Sequence, residues 1–82
     1  MRLDLFLKMS RLIKRRSLAK EICDAGCVHI NGRVAKAGAE VKAADVLTID
    51  IRERLIRARI LRLPQRVEGP EGVVEMLSEV PE

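Results

Sequence analysis

Asn31-Gly32 restricts this sequence more than any other pair of residues. It sits between Val28-His29-Ile30 and Arg33-Val34-Ala35. A two-residue loop of this type needs left-handed backbone at both positions, which Asn and Gly tolerate, and it joins antiparallel strands. A hairpin is therefore expected over residues 28–35. What precedes it has a helical period. Leu3, Phe6 and Leu7 fall at i, i+3 and i+4, the stripe of an amphipathic helix. Asp4 in the first turn suits the helix dipole, and Leu5 lies at the edge of the stripe. Ser10 to Arg16 reads as a bend, with Leu12 and Ile13 turned into the core. Ser17 is the expected N-cap of a second helix, without a full capping box because Lys20 stands three residues on. Leu18, Ala19, Ile22 and Cys23 form that helix's apolar face, and Gly26 supplies a left-handed stop.

Beyond the hairpin, residues 36–45 read as a loop rich in Ala, Gly and Lys, anchored by Val41. Val46 to Ile51 reads as a strand with Leu47, Ile49 and Ile51 on one face. Residues 55–63 fit either a strand or a helix. The strand is preferred, because a turn at Arg52-Glu53-Arg54 then gives the preceding strand a partner. Pro64 ends it, and Pro64, Gly69, Pro70 and Gly72 mark a linker. Val73, Met76, Leu77 and Val80 have the spacing of a short amphipathic helix. The organisation expected is one α+β domain over residues 1–63, with two N-terminal helices packed on a small, mostly antiparallel sheet. An acidic C-terminal tail, carrying that short helix, follows over 64–82. No apolar run approaches the roughly 18–20 residues that span a bilayer, and the basic N-terminus lacks the apolar stretch of a secretory signal. A cytoplasmic protein is expected.

The net charge of +4 is less informative than its layout. Residues 1–36 carry nine Lys or Arg against three acids, a net +6; residues 37–63 carry +2; residues 64–82 carry one Arg against five Glu, a net −4. A basic front of this kind concentrates polyanions, of which nucleic acid is the commonest in the cytoplasm. Phe6 is the only aromatic residue, which excludes surfaces that stack unpaired bases on exposed rings. Arg11, Lys14, Arg15, Arg16 and Lys20 join the two helices, so a bend and a helix N-terminus present them together to phosphate oxygens. Catalytic chemistry is nearly absent. His29 reads as an outward side chain of the first strand. Cys23, Cys27 and His29 give three soft ligands with no second pair to complete a zinc site, and a buried thiol is expected at Cys23. No phosphate-binding glycine loop is present. No metal, cofactor or enzymatic activity is expected.

Several segments together resemble an S4-type RNA-binding domain, of the α-L kind. They are Met1-Arg2-Leu3-Asp4, Phe6-Leu7-Lys8, Ser10-Arg11-Leu12-Ile13-Lys14-Arg15-Arg16 and Ala19-Lys20-Glu21. Val28 through Gly32, Ala35-Lys36 and the stretch from Val41 to Leu47 continue the pattern. The likeness is close over residues 1–51 and looser over 52–63. In length and in its acidic tail the chain is similar to the stand-alone RqcP type, the S4-domain factors of bacterial ribosome-associated quality control. The related heat-shock proteins are longer and end in a basic extension.

This resemblance implies a protein that binds large ribosomal subunits obstructed by peptidyl-tRNA, touching both rRNA and tRNA. It implies support for C-terminal alanine tailing by a NEMF-class partner, by a monomer with no membrane association. The alternative within the family is heat-shock-type rescue or recycling of free large subunits carrying nascent chains, without a tailing partner. Carried over by position, the RNA contacts are Arg2, Arg11, Lys14, Arg15, Arg16, Lys20 and Lys36, with Asn31 at the hairpin turn and Arg16 foremost. Three positions depart from the pattern: Leu5, where relatives often carry Lys; Cys27, where a polar or basic residue is common; and Ala44, where a Gly-Asp turn is usual. Two other classes compete. S4-type domains often lead RNA-modifying enzymes and tyrosyl-tRNA synthetases, but those need a further catalytic domain. The other is a protein–protein or anionic-membrane module using the basic face, and a membrane-surface helix would need large apolar residues opposite its basic ones.

Overall fold

The structure, a computed structural model, describes residues 1–51 and 54–81. Helices α1 (Leu3–Met9) and α2 (Arg16–Asp24) are followed by strands β1 (Val28–Ile30), β2 (Arg33–Val34), β3 (Val46–Ile51), β4 (Arg54–Ile60) and β5 (Val74–Pro81). The strands form one sheet in the order β2-β1-β3-β4-β5, and every neighbouring pair is antiparallel. The α+β arrangement of two leading helices and an antiparallel sheet is the one the sequence implies. Among the described residues no helix is long and apolar enough to cross a membrane.

The local signals act as their chemistry requires. Asn31 and Gly32 take φ values of 51° and 85°, and the hairpin pairs His29 with Val34 and Ile30 with Arg33. Gly26, at φ 83°, ends α2 in a Schellman motif. The Gly26 N–H donates to Cys23 O at 3.0 Å and the Cys27 N–H to Ile22 O at 2.9 Å, satisfying carbonyls the helix leaves open. The start of α1 is closed by the 37–39 loop. Leu3 N–H donates to Ala39 O (2.8 Å) and Asp4 N–H to Ala37 O (3.2 Å), so backbone carbonyls do the work of a cap. Val41, the expected anchor of this loop, is buried, and its N–H donates to Met1 O.

The core is one cluster. Leu3, Phe6 and Leu7 of α1 and Ala19 and Cys23 of α2 meet Val28, Leu47, Ile49, Ile56, Ala58 and Ile60 of the sheet. Residues 54–60 form the strand, not the helix. The turn expected at Arg52-Glu53-Arg54 falls on residues 52 and 53, which lie outside the described residues, and Arg54 opens β4.

Three expectations need correction. Ser17 does not cap α2: the cap position is Arg15, in extended conformation, and no side chain caps it. The helix begins two residues earlier than a cap at Ser17 implies, and Ser17 is its second residue. Leu18 is not on the buried face but 41% exposed. At 3.6 residues per turn it lies about 100° from Ala19, and Ala19 and Cys23 define the buried direction. Most consequentially, residues 73–80 are not a helix. Val73 closes the turn before β5, and residues 74–81 form β5, which pairs with β4. A β-bulge opposite Arg57 and Ala58 inserts an extra residue between Met76 and Ser78. That insertion breaks the two-residue alternation and leaves a spacing that imitates a helix.

The 64–72 stretch is likewise a fixed strap and not a loose linker. Pro64 is fully buried, Glu68 N–H donates to Met9 O (2.9 Å), and Arg62 grips Glu68 through two hydrogen bonds of 2.9 and 2.6 Å. Val73 and Val74 sit in the same core as Phe6.

Deleting residues 73–82 strips two valines from that core and uncovers the edge of β4. The truncated chain is expected to lose cooperative thermal unfolding by circular dichroism, since burial of this kind contributes several kcal/mol to a total of roughly 5–15. A cooperative transition within about 5 °C of the full chain would show β5 to be dispensable. Ala44 holds φ 77°, left-handed backbone that costs an L residue about 1 kcal/mol or more, while its N–H donates to Ile60 O. Ala44→Gly is therefore expected to raise stability by about 0.5–1 kcal/mol in urea unfolding, despite the glycine's greater freedom when unfolded.

Candidate nucleic-acid interface

The basic residues are organised around one carboxylate. Asp4 is the second residue of α1, and only 3% of its side chain is exposed. Its Oδ1 accepts from Arg2 Nε at 3.2 Å and from Leu5 N–H at 2.8 Å; its Oδ2 accepts from Arg16 Nε at 3.4 Å. Arg2 precedes α1 in extended backbone and Arg16 opens α2, so one buried acid ties the starts of both helices. The two arginine side chains remain about half exposed, at 53% and 50%. Burial pushes the Asp4 carboxyl up. The hydrogen bonds from Arg2 and Leu5 and the charges of Arg16 and Arg2 outweigh it and hold the group below its usual 3.8. Asp4 is thus ionised wherever the protein is folded near neutral pH.

Arg2, Asp4, Arg16, Ser17 and Lys20 line a shallow cavity of about 370 Å³. Arg16 and Lys20 are four residues apart on α2 and so share one face. The cavity opens at the N-terminal end of α2, where the helix dipole adds positive potential to the three cations. An arginine that gives Nε to a carboxylate still has its two terminal nitrogens for a second acceptor. The arrangement suits a phosphate group, and it has no apolar floor for a base.

The other expected contacts lie elsewhere. Lys36 reaches the opposite end of α2, where its Nζ donates to Asp24 O at 3.2 Å. Asn31 is engaged within the fold: Oδ1 accepts from Val46 N–H (2.9 Å), and Nδ2 donates to Asp45 Oδ1 (3.1 Å). Asp45 in turn accepts from Lys42 N–H (3.0 Å), so the amide pins the hairpin to the loop before β3. Arg11, at φ 58°, and Lys14 border a separate groove floored by Leu12, Leu18, Ile51 and Met76. Arg15 is exposed at the cap of α2. A run of cations continuous in sequence is therefore divided in space, and Arg2, Arg16 and Lys20 are the three that converge. Sequence reasoning passed over Asp4 as a dipole residue. The available signal was an acid inside a strongly basic segment, at a position that also faces the core.

Leu5 is half-buried, and Cys27 is a half-exposed free thiol beside the buried Cys23. Burial and the nearby Asp4 carboxylate push the Cys23 thiol up to about 11. His29 is half-buried at the outer face of the sheet, opposite Thr48. Among the described residues no group of three His, Cys, Asp or Glu is arranged to hold a metal ion.

Comparison with known proteins follows the same lines. Residues 1–47 match the S4 domain family. The chain is 50% identical over 72 residues to the RQC P-site tRNA stabilizing factor of Halalkalibacterium halodurans, covering 88% of this chain and 82% of that one. It is 48% identical to the Bacillus subtilis protein of that name, covering 88% and 84%. The Listeria monocytogenes protein is 43% identical over 82 residues, covering 100% and 88%. Among solved structures, trimeric Heat Shock Protein 15 of Vibrio cholerae superposes with a TM-score of 0.84 at 26% identity, covering 95% of this chain and 82% of that one. The solution structure of the hypothetical protein HP1423 gives 0.76 at 34% identity, covering 95% and 98%.

The Asp4 network makes an acid-limb prediction. Its folded-state carboxyl titrates below the unfolded value, so its contribution to stability is complete above about pH 4 and is lost as pH falls through the lower folded value. Asp4→Asn is expected to flatten the decline of stability below about pH 4, measured by urea unfolding across pH. Glu68, paired at the surface with a half-exposed Arg62, is expected to leave that decline nearly unchanged when replaced by Gln, because solvent screens the pair.

Proposed function

We propose, for a chain that belongs to the S4 domain family and within it to the RQC P-site tRNA stabilizing factors, that it acts in ribosome-associated quality control as an RNA-binding factor without chemistry of its own. It binds large ribosomal subunits obstructed by peptidyl-tRNA and contacts both rRNA and tRNA. It holds the tRNA in the peptidyl site while a NEMF-class partner extends the stalled chain with alanine. It works in the cytoplasm as a monomer.

The observation that carries this reading is the convergence of Arg2, Arg16 and Lys20 on one cavity at the start of α2. Folded RNA displays phosphates and 2′-hydroxyls along its helices, and side chains cannot enter its deep major groove. A surface that grips such RNA needs charge-assisted donors at fixed spacing, not rings. Arg16 is the central contact, because its guanidinium and the dipole of α2 act on the same phosphate. Arg15 and Lys36 extend the positive surface, Arg11 and Lys14 offer a second set of cations at the neighbouring groove, and Asn31 acts by holding the hairpin turn in place. Holding tRNA is a binding task, so the factor accelerates tailing by keeping the acceptor in place. The heat-shock reading has one observation in its favour, the likeness in fold to Heat Shock Protein 15. The greater sequence identity to the quality-control factors weighs the other way.

Co-sedimentation with purified large subunits carrying peptidyl-tRNA tests the reading. Wild-type protein is expected to pellet with them, with affinity falling steeply between about 50 and 200 mM salt. Arg16→Ala, folded by circular dichroism, is expected to bind at least tenfold more weakly, the cost of about 1.4 kcal/mol or more of charge-assisted hydrogen bonding. Co-sedimentation of that variant at the wild-type level would remove the cavity as the site. Subunit binding by a protein whose removal leaves alanine tailing unchanged would favour the heat-shock reading.

A further inference from the structure

A carboxylate in the middle of an RNA-binding surface is a contradiction by charge alone. It repels the phosphate that the surrounding cations attract, and it takes part of the donor capacity of two of them. Asp4 sits there nonetheless, with its side chain 3% exposed and three hydrogen bonds to it. It touches Arg2 and Arg16 through Nε only.

We propose that Asp4 is a positioning residue for phosphate recognition: by fixing the Nε atoms of Arg2 and Arg16 it aims the terminal nitrogens of both guanidiniums into the same cavity. The proposal rests on the RNA-binding reading of that cavity. Its physics is that of preorganisation. A free arginine side chain carries about 2 kcal/mol of rotamer entropy, which binding must remove. An arginine held by a rigid, buried acid has lost much of it on folding, so less is lost on contact with RNA. Holding by Nε is the arrangement that leaves the end-on fork of the guanidinium open for a phosphate. The acid is itself rigid, because Asp4 lies in α1 with Leu3 and Phe6 in the core on either side and its own N–H is bound to Ala37 O. Lys20 has no place in this arrangement, since a lysine acts as a point charge and needs no orientation. Arg2 and Arg16 are separated by the whole of α1 and the bend after it, and the buried acid brings them into register.

The sign of a mutation separates this role from the simple electrostatic one. If Asp4 only repels phosphate, Asp4→Asn tightens RNA binding. If it positions, Asp4→Asn weakens binding although the protein has become more basic. Two probes are used with the full chain: purified large subunits carrying peptidyl-tRNA, and a plain RNA duplex. Asp4→Asn is expected to bind both about tenfold more weakly, with a salt dependence shallower by about one phosphate contact. In an Arg2→Ala/Arg16→Ala background the same change is expected to cause no loss, because nothing remains to be positioned. Equal or tighter binding by Asp4→Asn overturns the proposal, as does an equal loss in the double-alanine background. Arg16→Lys guards against a variant that fails to fold: it keeps the charge but lacks a second fork, and wild-type affinity in it would also overturn the proposal. The expected order on the duplex with no binding to subunits would overturn the functional reading and leave the positioning role standing.

Discussion

A buried charge has to be met by partners, and here that requirement organises the front of the molecule. An ionised carboxylate withdrawn from water costs several kcal/mol unless hydrogen bonds and opposite charge compensate it. Asp4 meets the condition with the Leu5 N–H and with Arg2 and Arg16. The carboxylate stays in place because the 37–39 loop closes the start of α1 with backbone carbonyls. The loop stays in place because Val41 is buried and its N–H is bound to Met1 O. Helix start, loop and basic cavity are therefore one cooperative unit, and displacing any part leaves polar groups of the others without partners.

The sheet supplies the rigid base for this unit. Its two edges differ. β2 is two residues long, too short to recruit another strand. β5 spans eight residues but carries a bulge between Met76 and Ser78, opposite Arg57 and Ala58 of β4, and an edge glutamate, Glu75, paired to Arg59 at 3.0 Å. Bulges and charged side chains both discourage edge-to-edge association. The strap from Arg62 to Val73 then crosses back to Met9, so the C-terminal third of the chain braces the helix that carries Asp4.

Much of the fold was legible because its determinants are local. Asn31-Gly32 adopts the left-handed pair of angles its composition favours. Gly26 stops α2, and Leu3, Phe6 and Leu7 point inward at helical spacing. Ser17 differs because α2 begins two residues earlier than a cap there implies, and Leu18 because it lies about 100° from the buried direction that Ala19 and Cys23 define. β5 was misjudged for a different reason: its bulge exists only in relation to β4, and the helix-like spacing of Val73, Met76, Leu77 and Val80 carries no trace of that partner. Within the candidate site, the cations were readable as a cluster, but their division into a cavity, a groove and a helix end was not.

The sequence by itself determined the two leading helices, the hairpin and its turn, the strand over residues 46–51, and the concentration of positive charge ahead of residue 36. Each follows from interactions within a few residues, where backbone sterics and side-chain period act alone. Only the tertiary structure decided which cations share a surface, that residues 74–81 close the sheet, and that an acid read as a helix-dipole residue binds two arginines. The Asp4–Arg16 contact spans 12 residues. A contact of that range depends on how α1 and α2 pack over the sheet, and that packing depends on the whole core at once.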